Sequence, residues 1–106
     1  MLLKAKAEGA DVVFTTGGTG VGMRDITPET VKRCIDKEIP GIMEMIRMKY
    51  GAEKPNALLS RAVAGVMGKT LVYAMPGSVK AVREYTEEIL KTMKHLFLMI
   101  HGIDSH

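Results

Sequence analysis

An α/β fold is what this sequence predicts, on three observations. Two short apolar runs, Val12-Val13-Phe14 and residues 71–75, have the continuous hydrophobicity of strands buried on both faces. Each passes at once into a turn rich in glycine or proline, and each turn leads to a segment with apolar residues at helical spacing. The order helix, strand, loop, helix, strand, loop, helix then accounts for the chain without repeats, linkers or low-complexity tracts.

Taken in order, residues 2–8 read as the end of a helix closed by Gly9, and residues 11–16 as the first buried strand. After the glycine loop, Thr27 is placed to cap a helix with Pro28 at its first position and Glu29 in its first turn. That helix is predicted to reach about Glu38, with Val31, Cys34 and Ile35 facing inward. Pro40 and Gly41 break it and permit another, in which Ile42, Met45, Ile46 and Lys49 recur before Gly51. Residues 57–67 are apolar without a clean period and are left as short strands or a turn. Gly68 precedes the strand at 71–75, and Pro76-Gly77 ends it. Ser78 can cap the last helix, whose apolar face is Val82, Tyr85, Ile89, Met93, Leu96 and Ile100, with Glu87 and Lys91 at i,i+4 and Gly102 as its stop.

A chain of 106 residues is one domain at most, and its many methionines point to a core packed by flexible side chains. The net charge of +3 is spread among acidic residues and not gathered into a stripe, which argues against nucleic acid as a partner. The single cysteine, Cys34, excludes an intrachain disulfide and fits a reducing compartment. No apolar run approaches the roughly 20 residues needed to span a bilayer, and Met1 is not followed by the features of a signal peptide. A cytoplasmic location, with no membrane partner, is therefore expected.

The segment Thr15-Thr16-Gly17-Gly18-Thr19-Gly20-Val21-Gly22-Met23-Arg24-Asp25 joins a buried strand to a helix. Its glycines allow unusual φ angles and close backbone approach to an anion, and the threonine hydroxyls add donors. The same glycines equally suit a plain tight connection. A dinucleotide fingerprint fails on counting, because its third glycine would fall on Met23 or, one register later, on Asp25. Gly68-Lys69-Thr70 imitates the end of a P-loop, but Val63 occupies the upstream glycine position and a strand follows.

Met75-Pro76-Gly77-Ser78 is the second strand-to-helix loop, with Lys80 in the next helix's first turn. If the two strands are parallel, both loops lie beyond their carboxyl ends, where open α/β sheets collect ligands. Asp25 is the one carboxylate inside the glycine loop. Beside bound phosphates it would act through Mg²⁺, and without them it would serve the helix dipole. Ser60 and Arg61 are candidate contacts to an anionic ligand or members of a surface turn. His95, His101 and His106 lack ligand-like spacing and are expected on the surface or tail.

Together Thr15-Thr16-Gly17-Gly18-Thr19-Gly20, Arg24-Asp25, Thr27-Pro28-Glu29, Pro40-Gly41, Leu59-Ser60-Arg61, Gly65 and Met75-Pro76-Gly77-Ser78 resemble, in order and spacing, the MogA/MoaB-like molybdopterin-binding domain of molybdenum cofactor biosynthesis. The resemblance covers nearly the whole chain. It implies a three-layer α/β sandwich with a mostly parallel sheet, commonly trimeric, that binds molybdopterin. Enzymatic members use Mg²⁺ and ATP to adenylylate the terminal phosphate of the pterin. Carried over by position, Thr16, Gly17, Gly18, Thr19 and Gly20 would cradle phosphate. Asp25 would be the catalytic or metal-linked acid, and Ser60, Arg61, Pro76, Gly77 and Ser78 would complete the cofactor site.

Three departures stand out. Met23 replaces a frequent proline, and Val79 a frequent proline or asparagine. The family domain also begins with an earlier strand, helix and further sheet, bearing a second functional aspartate, which nothing here matches. Residues 1–106 are therefore expected to be a single domain incomplete at its N-terminus. Truncation of a longer protein is favoured over a part supplied by another chain or a reduced, non-catalytic homologue. An adenylyltransferase leads, followed by a non-catalytic oligomeric module binding molybdopterin or a nucleotide, and then by a structural subunit with a vestigial loop.

Overall fold

The computed structural model describes residues 11–102, so the helix end expected at 2–8 and the tail His106 lie outside the described residues. Among those described, strand β1 (Val12–Thr16) leads through the glycine loop to helix α1 (Thr27–Cys34) and the short strand β2 (Lys37–Glu38). Helix α2 (Pro40–Gly51) and a 3₁₀ turn (Pro55–Leu59) follow, then the hairpin β3 (Val63–Met67) and β4 (Thr70–Met75), and finally helix α3 (Val79–Ile100). The strands form one sheet in the order β1-β4-β3-β2. The α/β class is as expected, but the sheet is mixed: among the described strands only β1 and β4 are parallel, and both other pairings are antiparallel. The cause is local. Gly68, at φ +63°, turns the chain straight back from β3 to β4 without a crossover helix.

Side chains of β4 alternate between two apolar layers. Leu71, Tyr73 and Met75 pack with Met43 and Ile46 of α2 and Tyr85 and Ile89 of α3. Val72 and Ala74 pack on the other face with Val31 of α1, Val63 and Met67. Helices on both faces make three layers, and β4 is buried along its whole length.

Helix α1 departs from the sequence expectation at both ends. It begins at Thr27, with Ile26 as N-cap, and no side chain caps it. Thr27 N–H instead donates to the Gly18 carbonyl at 3.1 Å, so the glycine loop satisfies the helix start. The helix stops at Cys34, not near Glu38, because Ile35 turns extended and Asp36 N–H donates to Val66 O at 2.7 Å. Lys37 and Glu38 then pair with Val66 and Gly65. Gly65 is required there, since a Cβ would stand 2.6 Å from Ile35 Cδ1 and 2.7 Å from the Lys37 carbonyl. The unassigned stretch after residue 56 resolves into the 3₁₀ turn and β3. Ser78 caps α3 as expected, its hydroxyl accepting from Ala81 N–H at 3.1 Å.

Helices α2 and α3 are tied by a carboxylate. Glu88, 3 % exposed, accepts from Lys49 at 2.7 Å, Tyr50 at 3.3 Å and Lys91 at 3.0 Å. The two ammonium groups, Lys49 foremost, hold its carboxyl at about 2, well below the usual value of 4.5. A depressed carboxylate stabilises the fold above its unfolded pKa, and that contribution fades as pH falls from about 4.5 toward 2. Glu88→Gln is expected to cost about 1–3 kcal/mol at pH 7. Urea unfolding against pH should show the two proteins converging through that acid window.

Candidate functional site

Parallel pairing of β1 and β4 brings Thr16 beside Met75, so both strands release their loops at the same end of the sheet. Gly17 N–H donates to Met75 O at 2.9 Å, and a Cβ on Gly77 would lie 3.1 Å from Gly17 Cα. The two loops therefore meet backbone to backbone. Gly17 and Gly18 hold φ of +93° and +72°, conformations that only glycine adopts readily.

Asp25 organises the loop from within. Its Oδ2 accepts from Gly22 N–H at 2.9 Å and would sit 2.8 Å from a Cβ on Gly20. The loop closes around a carboxylate because two glycines leave it room. Arg61 clamps the outside. Its backbone N–H donates to Thr19 O and its Nε to Gly20 O, each at 2.7 Å. Its Nη2 donates to Asp25 O, and its Nη1 pairs with Glu29. Chiefly through that bond, the Glu29 carboxyl is held below the usual glutamate range.

These loops bound a cleft of about 370 Å³. Gly18, Thr19, Gly20 and Asp25 form one wall, Pro76 and Gly77 the second, and Ser60 with Asn56 the third. Ile46, Tyr50, Ala57, Leu59 and Ala81 supply apolar surface, and Glu84 and Tyr85 enter from α3. At the rim Lys54 pairs with Glu84 at 2.9 Å. Its interaction with Lys80 pushes the latter ammonium below the usual lysine range, the mark of two cations crowded together. A cleft with apolar walls, a glycine-rich backbone edge and a basic rim suits a flat, phosphorylated ligand.

Of the residues anticipated from sequence, Gly18, Thr19, Gly20, Asp25, Ser60, Pro76 and Gly77 line this cleft, and Thr16, Gly17, Arg61 and Ser78 do not. Arg61 is spent on the loop's carbonyls and Glu29, and Ser78 on capping α3. Thr15 lies buried on the α1 side, paired with Ala74, and its hydroxyl has no hydrogen-bond partner among the described residues. In the sequence Tyr85 stands out only as part of an apolar face, and Asn56 and Glu84 do not stand out as site residues. The spacing of Ala81, Glu84 and Tyr85, at i, i+3 and i+4, was the available signal. His101 packs against Phe97 in a tilted arrangement, with ring centroids 4.2 Å apart. Among the described residues no helix is long and apolar enough to cross a membrane.

Residues 1–95 match the family described as a probable molybdopterin binding domain. The chain belongs to this molybdopterin-binding domain family. It is 41 % identical over 92 residues to a molybdopterin adenylyltransferase of Helicobacter pylori, covering 87 % of this chain and 52 % of that protein. Molybdenum cofactor biosynthesis protein B of Staphylococcus carnosus is 45 % identical over 93 residues, covering 85 % of this chain and 55 % of its own. In three dimensions the MoaB of Thermus thermophilus superposes with a TM-score of 0.84 at 43 % identity, across 94 % of this chain and 63 % of that one. The Mog protein of Mycobacterium ulcerans reaches 0.89 at 35 % identity, across 93 % and 65 %. The chain thus spans about half the length of the curated relatives it matches.

Proposed function

We propose that residues 1–106 act as a single molybdopterin-binding domain, in the cytoplasm, that transfers AMP from ATP to the terminal phosphate of molybdopterin. The observation that carries this reading is the meeting of the glycine loop and the Pro76-Gly77 turn around one cleft with one loop carboxylate, Asp25. The relatives named molybdopterin adenylyltransferase support the same chemistry. An oxygen of the pterin phosphate attacks the α-phosphorus of ATP, and the bond to the bridging oxygen breaks to release pyrophosphate. Two polyanions must be aligned and their charge offset for this to occur, which is work for positioned amides and cations.

Amides of Gly18, Thr19 and Gly20 would receive phosphate oxygens. Lys54 and Lys80 would offset charge at the rim, and the apolar walls would take the pterin rings. Asp25 fits a role in holding Mg²⁺: Gly22 N–H engages one carboxylate oxygen, and a carboxylate retains further lone pairs. When bound, Mg²⁺ would neutralise the phosphates of ATP. Exposed Met45, Met48, Leu58 and Leu59 offer apolar surface for a homo-oligomer, which we take to be a trimer.

A non-catalytic module binding molybdopterin or a nucleotide is the second reading. It is favoured by one observation, that Asp25 already serves the loop through Gly22. Anaerobic calorimetric titration of molybdopterin into the chain, with and without Mg²⁺ and ATP, separates the two. Binding accompanied by pyrophosphate release is the expected result. Binding without release supports the module, and no binding of molybdopterin sinks the transferase and leaves the module only its nucleotide form.

A further inference from the structure

Ser60 and Tyr85 touch across the floor of the cleft, one on the segment leading into β3 and the other on α3. The Ser60 hydroxyl oxygen lies 3.1 Å from Tyr85 Oη and 3.3 Å from Ala62 N. Tyr85 is 5 % exposed, so its phenol proton requires a protein acceptor, and the Ser60 oxygen is the one within reach. Tyr85 therefore donates, and so does Ala62 N–H. A serine oxygen has two lone pairs, and both are then taken. Its own proton is left to point away from them, toward the cleft that Ser60 lines.

We infer that Tyr85 is a positioning residue that turns Ser60 into a dedicated hydrogen-bond donor, so that the ligand atom seated there must be an acceptor. A phosphate oxygen, a ring carbonyl or an unprotonated ring nitrogen is accepted, and an N–H or amino group is refused. The same occupancy makes Ser60 a poor nucleophile, because both lone pairs are engaged. Arg47 keeps the segment in place from α2, with its guanidinium 3.4 Å from the carbonyls of Ser60 and Ala62. The inference rests on the molybdopterin reading of the cleft and states what chemistry that ligand presents to Ser60.

The test is a set of anaerobic molybdopterin titrations on the full chain and on Tyr85→Phe, Ser60→Ala, Ser60→Thr and the two combinations of Tyr85→Phe with each serine variant. Circular dichroism and thermal melting run alongside. Tyr85→Phe keeps the ring and removes only the donor. We expect it to weaken binding about threefold to tenfold in the parent and in Ser60→Thr, which keeps a hydroxyl, and to have no effect in Ser60→Ala. A general packing role for the tyrosine would move all three backgrounds equally, and that result overturns the inference. So does a Tyr85→Phe variant that binds like the parent, which leaves the site reading intact. If the folded parent itself binds no molybdopterin, the site reading fails and the inference with it.

Discussion

Asp25→Ala is expected to lower the rate of the proposed adenylyl transfer by about 10²–10³-fold, the magnitude seen when a group that stabilises transition-state charge is deleted. Alanine removes two things together. One is the charge proposed to hold Mg²⁺, and the other is the acceptor for Gly22 N–H that closes the loop. Asp25→Asn separates them, since its amide oxygen still accepts from Gly22 and carries no charge. We expect the asparagine variant to melt near the parent temperature and lose activity almost as fully as alanine, with pyrophosphate release as the readout. An asparagine variant at parental rate would show that the carboxylate serves the loop alone, and would favour the non-catalytic module.

Gly18→Ala is expected to have the largest effect on stability of any single methyl added near the cleft. At φ +72° an L-residue costs about 1–2 kcal/mol, and the new Cβ would stand 2.2 Å from Thr27 Oγ1. Crowding of that kind adds about 1–3 kcal/mol. The strain reaches the start of α1, because the Gly18 carbonyl is the acceptor for Thr27 N–H. A fall of about 2–5 kcal/mol, or about 10–30 °C in melting temperature, should follow, with loss of molybdopterin binding. Gly17→Ala is the control. Its φ is also positive, but no heavy atom lies within 4 Å of the added carbon, so only the backbone part of the cost remains. Equal melting temperatures for the two variants would refute the steric account.

What was legible in the sequence was what local chemistry dictates. Val12-Val13-Phe14 and residues 71–75 announce strands by unbroken hydrophobicity, and Pro76-Gly77-Ser78 announces a turn and a cap. Only the second strand is buried on both faces, since β1 ends the described sheet and leaves Phe14 exposed. Strand β2 was illegible because Lys37 and Glu38 are both exposed, and their pairing depends on Gly65, far along the chain, having no side chain. The helix reading failed there through tertiary override, since Val66 O takes the Asp36 N–H and the bare Gly65 leaves room for the Ile35 side chain, in place of a further helical turn. In the site, glycines and Asp25 could be read because a loop's constraints lie within it. Tyr85 could not, and Arg61 was read as a ligand contact or turn residue and not as a clamp, because Arg61 acts on carbonyls about 40 positions away and Tyr85 meets Ser60 only after α3 docks.

The clamp formed by Arg61 has a consequence for how a ligand arrives. Fixing a free backbone costs about 1–2 kcal/mol per residue, and a flexible glycine loop would impose much of that on whatever it bound. Here the guanidinium and the main-chain N–H of Arg61 hold the carbonyls of Thr19, Gly20 and Asp25. Order in the loop is established when the chain folds, before any phosphate is present. A phosphorylated ligand would then find the loop already ordered, with that part of the entropy penalty met in advance by the fold.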